Sequence, residues 1–188
     1  MPTPDSMSVT LLDENDVERI VERMAKEIVE RAGGVESLVL LGIHRRGVEI
    51  SARIRTLIER EAGRDVAAGA IDITFYRDDL ARIGPRPVVG ESELPMDGID
   101  DRTVVIVDDV FFTGRTARAA INELMDWGRP ARILFCVLVD RDGRELPIRP
   151  DVVGRRLSVL PSQKVDVRVP EIDGQLAVCV SHAAGSAS

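Results

Sequence analysis

Residues 104–120, VVIVDDVFFTGRTARAA, decide the fold that this sequence predicts. The segment begins with four apolar residues, as expected for a strand covered on both faces of a parallel sheet. Asp108 and Asp109 come next, and we expect both carboxylates to emerge at the carboxyl end of that strand. The following turn, residues 113–116, opens a helix that we expect to run from Gly114 to Trp127.

The turn has the features of an anion site. Gly114 lets the backbone approach a ligand closely, and hydroxyl and amide groups converge where the helix dipole favours negative charge. In α/β proteins the carboxyl ends of parallel strands face the crevice where ligands bind. The pattern therefore predicts a phosphate in the turn, with hydroxyls or a metal ion at Asp108 and Asp109.

Two other interpretations of this segment are open. An acidic residue or a threonine ahead of a helix can be a simple helix cap. Two carboxylates after an apolar strand also resemble the metal-binding strand of nucleoside triphosphatases. That class needs a phosphate loop, and the candidate GIHRRG at 42–47 has Val48 and Glu49 where the required Lys and Ser/Thr would stand.

The surrounding sequence alternates helices and strands. Apolar periodicity predicts helices at 14–31 and 48–61, and strands at 37–43, 66–76, 103–107 and 131–139. We expect shorter strands at 152–153, 159–160 and 165–169, and a long loop at 77–98. Because two apolar strands bracket a helix, the fold class is α/β with a mainly parallel, twisted sheet flanked by helices. We expect a single domain over 1–182 and a disordered tail at 183–188.

Composition excludes several classes of protein. The 188 residues are 44% apolar with a net charge of −7, unlike a disordered chain or a protein that coats duplex nucleic acid. No apolar run approaches the ~20 residues of a membrane helix and no signal peptide is visible, so we expect a cytoplasmic protein without membrane contact. Cys136 lies in an apolar run and is predicted to be a buried thiol rather than a nucleophile.

Four segments carry a family resemblance. DDVFFTGRT at 108–116 resembles the 5-phosphoribosyl pyrophosphate (PRPP) motif of type I phosphoribosyltransferases. With GIHRRG at 42–47, DITFYRDDL at 72–80 and LVDRDGRELPIRPD at 138–151, the chain closely resembles the bifunctional pyrimidine-operon regulator and uracil phosphoribosyltransferase family (PyrR). The resemblance implies a type I phosphoribosyltransferase-like fold with a flexible hood loop. It also implies Mg²⁺-dependent conversion of uracil and PRPP to UMP and pyrophosphate.

The resemblance also implies roles for individual residues. Asp108 and Asp109 would hold the ribose hydroxyls, and either could contact Mg²⁺. Arg45 and Arg46 would line the pyrophosphate loop, and Arg141 would lie near uracil. The hood, residues 77–86, would place Arg77 at the pyrophosphate as a catalytic residue. The segment implied to bind PRPP and UMP comprises Asp108, Asp109, Val110, Phe111, Phe112, Thr113, Gly114, Arg115 and Thr116.

A regulatory role is implied as well, in which UMP or UTP is sensed and the mRNA leader of a pyrimidine operon is bound. Residues 140–170 contain seven basic and five acidic residues, a local excess of positive charge. The candidate RNA-binding residues are Arg144, Arg149, Arg155, Arg156 and Lys164. A shared face would favour RNA binding, whereas pairing with Asp140, Asp151 and Asp166 would weaken it. The alternatives are a nucleotide sensor without activity and a salvage enzyme for another base.

The family resemblance further implies a homodimer or a higher homo-oligomer. The chain departs from the family pattern at three places. Phe112 stands where most relatives have Tyr, and Arg45 where many have Thr. Residues 155–162 keep positive charge but replace a short polar segment that is associated with the RNA-binding surface, which affects specificity more than charge attraction.

Overall fold

The computed structural model describes residues 8–73 and 92–182. Their elements in chain order are β1 (Ser8–Leu12), α1 (Glu14–Ala32), β2 (Leu38–Ile43), α2 (Arg46–Ala62), β3 (Ala67–Ile71), β4 (Thr103–Phe111), α3 (Arg115–Trp127), β5 (Arg132–Arg141), β6 (Val152–Leu157), β7 (Gln163–Arg168), α4 (Pro170–Asp173) and β8 (Ala177–His182).

Five strands form a parallel sheet in the order β3-β2-β4-β5-β6. Residues along β4 alternate between its two faces. Val105 and Val107 pack in the cluster that contains α1 and α2, whereas Val104 and Ile106 pack in the cluster that contains α3. Burial on both faces explains why the central strands are continuous apolar runs. The predicted α/β fold class with a mainly parallel sheet is confirmed.

The order of strands in this sheet reverses between β2 and β4. From β2 the chain moves outward to β3, and it then returns to the other side of β2 to form β4, β5 and β6. The loops that follow β2 and β4 therefore diverge, and they leave a crevice at the carboxyl ends of these two strands. Both glycine-bearing segments that the sequence singles out, residues 42–47 and 108–116, lie at this edge.

A second, antiparallel sheet has the order β1-β8-β7. Its apolar residues Val165, Val167 and Val178 belong to the cluster that contains α1 and α2, so the small sheet shares a core with the parallel sheet. Sequence analysis missed β1, β8 and α4. It also wrongly placed a strand at 159–160, where Leu160 and Gln163 close a turn between β6 and β7.

The helices follow the predicted periodicity. A capping box between Asp13 and Asp16 begins α1, and Gly33, at φ 77°, ends it. The second helix begins at Arg46, two residues before the predicted start. No helix in residues 8–73 or 92–182 is long and apolar enough to cross a membrane.

Two strand predictions need correction or restriction. The strand predicted at 103–107 continues to Phe111, since β4 pairs with β5 up to Phe111 and Asp140. Asp108 and Asp109 are therefore part of the strand rather than of the loop after it. The strand predicted at 66–76 is found as β3. Its last residues, the hood with Arg77, and the tail at 183–188 lie outside the described residues. The single domain over 1–182 stays a prediction.

Candidate active site

The paired carboxylates lie near the carboxyl end of β4, at the crevice. Asp108 is 7% exposed, and its Oδ1 accepts a hydrogen bond from the Asp109 amide at 2.9 Å. Asp109 is half-buried, and its Oδ1 accepts from the Val110 amide at 2.8 Å. Side chains alternate along a strand, so the two carboxylates leave the backbone in different directions. The pair can thus serve two ligand groups rather than one.

The turn after β4 has the form of an anion site. Gly114 is the N-cap of α3 with φ 94°, a conformation that favours glycine, and it offers no capping side chain of its own. The Thr113 hydroxyl accepts a hydrogen bond from the Arg115 amide at 3.3 Å. Backbone amides at a helix start attract anions, since the helix dipole adds partial positive charge there. The turn could therefore hold a phosphate.

The segment after β5 supports this turn, a feature that sequence analysis missed. The carbonyl of Thr113 accepts hydrogen bonds from the amides of Glu145 and Leu146, at 3.0 and 3.1 Å. The Arg115 side chain pairs with Glu145 at 3.0 Å. A Cβ at Gly114 would lie 3.3 Å from Leu146 Cβ, tighter than most packing contacts. Residues 145 and 146 belong to the family-like segment 138–151, which was the available sequence signal.

The turn after β2 lies directly against β4. A Cβ built at Gly47 would lie 2.6 Å from the Val107 carbonyl oxygen and 3.2 Å from Asp108 Cα. Glycine is needed here because the start of α2 touches the backbone of the strand that carries the carboxylates. The structure thus brings the turn after β2, at Gly47, against Asp108.

The two arginines of this turn differ in their surroundings. Arg45 is exposed and forms no ion pair with any described residue. Arg46 is half-buried, and its guanidinium forms a two-point ion pair with Asp173 of α4. Both were predicted to line a pyrophosphate loop, and only Arg45 presents its cationic group without a carboxylate partner in the described part of the chain. No sequence signal pointed to Asp173.

Arg141 and Phe112 form a stacked pair at the ends of β5 and β4. The guanidinium carbon of Arg141 lies 4.2 Å from the centroid of the Phe112 ring, and Nη1 donates to the Gln163 carbonyl at 2.8 Å. Arg141 is 8% exposed, and burial lowers its pKa. A Cβ at Gly143 would clash with the same ring, so the ring is held between Gly143 and Arg141. A flat, partly cationic surface of this kind suits a planar base.

An open cavity of about 270 Å³ lies beside this stack, lined by Asp140, Arg141, Asp142, Gly143, Arg144, Arg156, Leu157 and Ser158. A wider groove of about 490 Å³ lies between α1, α2 and α4. Glu22 and Arg53 are among the residues that line this groove, and Asp108 and residues 113–116 are not. We assign the active site to the carboxyl ends of β2 and β4 because they hold the paired carboxylates and the glycine turns.

The predicted RNA-binding residues do not form one free basic surface. Arg144 and Arg156 pair with Asp140 at 3.6 and 3.5 Å, and Lys164 pairs with Asp166 at 3.3 Å. Arg149 and Arg155 are exposed and form no ion pair within the described residues. Asp151 instead accepts a hydrogen bond from the backbone of Phe135. These ion pairs weaken the RNA-binding interpretation for three of the five residues, Arg144, Arg156 and Lys164.

The carboxylates at the crevice suit a metal site that is completed by substrate and water. The described residues contain no group of three or more His, Cys, Asp or Glu side chains that could enclose a metal ion. Asp108 and Asp109 offer two carboxylates. Mg²⁺ fits such a site because it keeps several waters and is commonly held by one or two carboxylates together with substrate phosphates.

Comparison with known proteins defines the class. Residues 8–172 match the phosphoribosyl transferase domain, so the chain is a member of that family. Within it, the chain belongs to the PyrR family: it is 48% identical over 163 residues to the bifunctional protein PyrR of Herpetosiphon aurantiacus, covering 87% of this chain and 90% of that protein. It is also 48% identical over 165 residues to the bifunctional protein PyrR of Thermus thermophilus, covering 88% and 91%.

Solved structures support the fold. A hypoxanthine-guanine phosphoribosyltransferase from Bacillus anthracis superposes with a TM-score of 0.69 at 20% identity, over 93% of this chain and 97% of that chain. A hypoxanthine phosphoribosyltransferase from Trypanosoma cruzi gives a TM-score of 0.70 at 21% identity, over 96% and 94%. At this identity the likeness shows the architecture alone. The type I phosphoribosyltransferase fold is therefore confirmed.

Proposed function

We propose that this protein is a uracil phosphoribosyltransferase, which converts uracil and PRPP to UMP and pyrophosphate. The observation that carries the proposal is the pair of glycine turns that flank the crevice at the reversal of strand order. Gly47 lies against the backbone of Val107 and Asp108, and Gly114 opens α3 at the end of the same strand. The turn after β4 suits a 5′-phosphate, and the turn after β2 suits a pyrophosphate. The carboxylates of Asp108 and Asp109 suit the hydroxyls of a ribose.

The reaction asks for positioning rather than for a nucleophilic side chain. A bond forms between N1 of uracil and C1 of the ribose, the C1–O bond breaks with its electron pair leaving on pyrophosphate, and the N1 proton passes to solvent water. The transition state resembles an oxocarbenium ion, so nearby negative charge and fixed substrate geometry lower the barrier. Asp108 and Asp109 supply that charge and bind the ribose hydroxyls. When bound with PRPP, Mg²⁺ supplies positive charge to the phosphate oxygens.

The remaining substrate contacts follow from the two turns and the stacked pair. We assign the 5′-phosphate to the amides and hydroxyls of residues 113–116 and the pyrophosphate to Arg45. Uracil would lie by Arg141 and Phe112, where a buried guanidinium and an aromatic ring form a flat surface. Arg77, which lies outside the described residues, keeps its predicted contact with pyrophosphate.

The experiment is an assay of nucleotide formation with purified protein, Mg²⁺ and PRPP. Uracil, hypoxanthine, guanine and orotate are offered separately, and Asp109→Asn serves as the matched control because it removes one charge and keeps the shape. We expect UMP from uracil alone, with the rate in the variant lowered at least about 100-fold. Product from a purine base instead would establish a salvage enzyme. No product with any base, together with tight UMP binding, would make the protein a nucleotide sensor.

A second function, binding of a pyrimidine-operon mRNA leader, is favoured by the exposed arginines on β6 and in the segment before it. Arg149 and Arg155 form no ion pair with a described residue and are available to phosphates. Filter binding of a leader RNA and of a scrambled RNA of equal length tests this proposal. We expect the leader to bind more tightly, and Arg155→Ala to weaken both and reduce the salt dependence. Equal affinity for the two RNAs would contradict specific recognition.

A further inference from the structure

Arg46 and Asp173 join the turn after β2 to α4. Arg46 Nε donates to Asp173 Oδ2 at 3.1 Å, and Nη2 donates to Oδ1 at 2.8 Å. Two parallel hydrogen bonds fix the orientation of a guanidinium more firmly than a single contact does. The side chains are 31% and 19% exposed, so water and salt screen this pair less than a pair at the open surface.

A backbone hydrogen bond within its own segment also holds the Asp173 side chain. Its Oδ2 also accepts the Val169 amide at 2.9 Å, at the start of α4. The hydrogen bond from Arg46 is the main cause that lowers the pKa of Asp173, and the same bond is the main cause that raises the pKa of Arg46. The carboxylate is therefore ionised at neutral pH and ties two separate elements together.

The Arg46 side of this ion pair belongs to the candidate pyrophosphate turn, residues 44–47. Arg46 is the first residue of α2 and precedes Gly47, whose backbone lies against Val107 and Asp108. The N-cap residue of α2 is Arg45, and no side chain caps that helix end. Arg46 thus lies between the exposed Arg45 and Gly47, which packs against β4. A contact that fixes Arg46 therefore restrains both neighbours.

We propose that Asp173 is a positioning residue for pyrophosphate binding, which acts through Arg46 to hold residues 44–47 in place. This inference rests on the proposed function and deepens it. The guanidinium of Arg46 is engaged by Asp173, so Arg45 is the side chain of the turn that contacts the pyrophosphate of PRPP. Asp173 itself touches no substrate.

The test is a comparison of two neutralised carboxylates on the same short helix. Asp173→Asn removes the partner of Arg46. Glu171→Gln removes the partner of Arg53, which pairs with Glu171 at 2.9 Å and lies seven residues after Arg46 in α2. Titration calorimetry measures affinity for PRPP in the presence of Mg²⁺. We expect Asp173→Asn to bind PRPP about three- to tenfold more weakly and Glu171→Gln to bind it like the wild type.

Further variants separate positioning from a general loss of structure. Asp173→Glu keeps the charge and is expected to recover most of the affinity. Arg46→Lys should weaken PRPP binding as Asp173→Asn does, and the double variant should lose little more than either single one, because both act through one contact. In steady-state assays the KM for PRPP should rise, with kcat within about twofold of the wild-type value.

Several outcomes would overturn the inference. Unchanged or tighter PRPP binding by Asp173→Asn would mean that the ion pair does not support the site, or that it competes with the ligand. An equal loss in Glu171→Gln would assign the effect to α4 as a whole. The calorimetry is independent of turnover, so a wild-type protein that binds PRPP but makes no UMP refutes the proposed function and still tests the role of Asp173. A wild-type protein that does not bind PRPP overturns both.

Discussion

Glu123 is a buried carboxylate on α3, on the helix that the phosphate turn opens. The residue is 5% exposed; Oε1 accepts a hydrogen bond from the Ser92 hydroxyl, and Oε2 is buried without a partner among the described residues. Burial is the main cause that raises the pKa of Glu123, and the charges of Asp72 and Asp126 raise it further. The folded protein therefore favours the neutral acid more than the unfolded chain does, although the hydrogen bond from Ser92 opposes the shift.

The sign of this pKa shift predicts how stability changes with pH. The neutral form contributes stability at a pH below the unfolded value of about 4.5, and this contribution is lost as pH rises through the higher folded pKa. Glu123→Gln, which is always neutral, should thus raise the melting temperature by a few degrees at pH 8 and by much less at pH 4. Thermal melts at both pH values check this, with the exposed Glu22→Gln as control. A gain that is equal at both pH values would contradict it.

At the level of single residues, the sequence predicted the identities of the site residues but not their hydrogen-bond and ion-pair partners. The order of apolar strand, two aspartates, glycine and threonines in 104–116 restricts which chemistry the segment can perform, so Asp108, Asp109 and Gly114 could be named. The partners Asp173 and Glu145 are far away along the chain from Arg46 and Arg115. Only the packing of α4 and of the segment after β5 brings them close, and no local pattern encodes that packing.

Among the elements, the start of α2 is the point where two parts of the candidate site touch. Gly47→Ala would place a methyl group 2.6 Å from the Val107 carbonyl oxygen, against strand backbone that cannot move without displacing Asp108. We expect the affinity for PRPP to fall at least about tenfold. Calorimetry with PRPP and Mg²⁺ measures the change.

The other end of the same helix provides the control for this prediction. Gly63 caps α2 at φ 67°, and a Cβ there would meet nothing within 4 Å. Gly63→Ala should cost about 1 kcal/mol of stability through its backbone conformation and leave PRPP affinity unchanged. Equal losses of affinity in the two variants would show that α2 does not form part of the site through Gly47.

Element boundaries show where reasoning from sequence ends. Apolar runs and periodicity predicted β2, β4, β5 and the three long helices, because burial on one or both faces dictates their composition. The strand β4 nevertheless continues through Asp108 and Asp109, since pairing with β5 extends beyond the apolar run. The strand β1 was missed because its residues are mostly exposed and carry no core pattern.

On the scale of the whole molecule, both cysteines lie in the interior. Cys136 on β5 and Cys179 on β8 are free thiols with 0% and 2% exposure. Burial is the main cause that raises the pKa of the Cys136 thiol, so little reactive thiolate forms. We expect thiol reagents at pH 8 to label the native protein only as fast as it unfolds, and to label both cysteines at once in denaturant. Rapid labelling of Cys136 in buffer would contradict the buried core described above.

The architecture was predictable to the level of the parallel sheet but not beyond it. The alternation of helices and apolar strands requires a sheet covered on both faces, which fixes the class of fold. The antiparallel sheet β1-β8-β7 joins the two ends of the described chain, and contacts between such distant residues leave little trace in local sequence. The domain limits at 1 and 182 remain predictions.

The central claim is that nucleotide binds in the crevice between the turns after β2 and β4. Hydrogen–deuterium exchange of the protein with and without saturating UMP tests it most directly, since the method locates the ligand independently of turnover. We predict slower exchange in peptides that cover 108–118, where the phosphate turn and the start of α3 lie, with PRPP and Mg²⁺ adding protection at 44–48. Protection confined instead to the α1–α2 groove, or no protection in 108–118, would contradict this account.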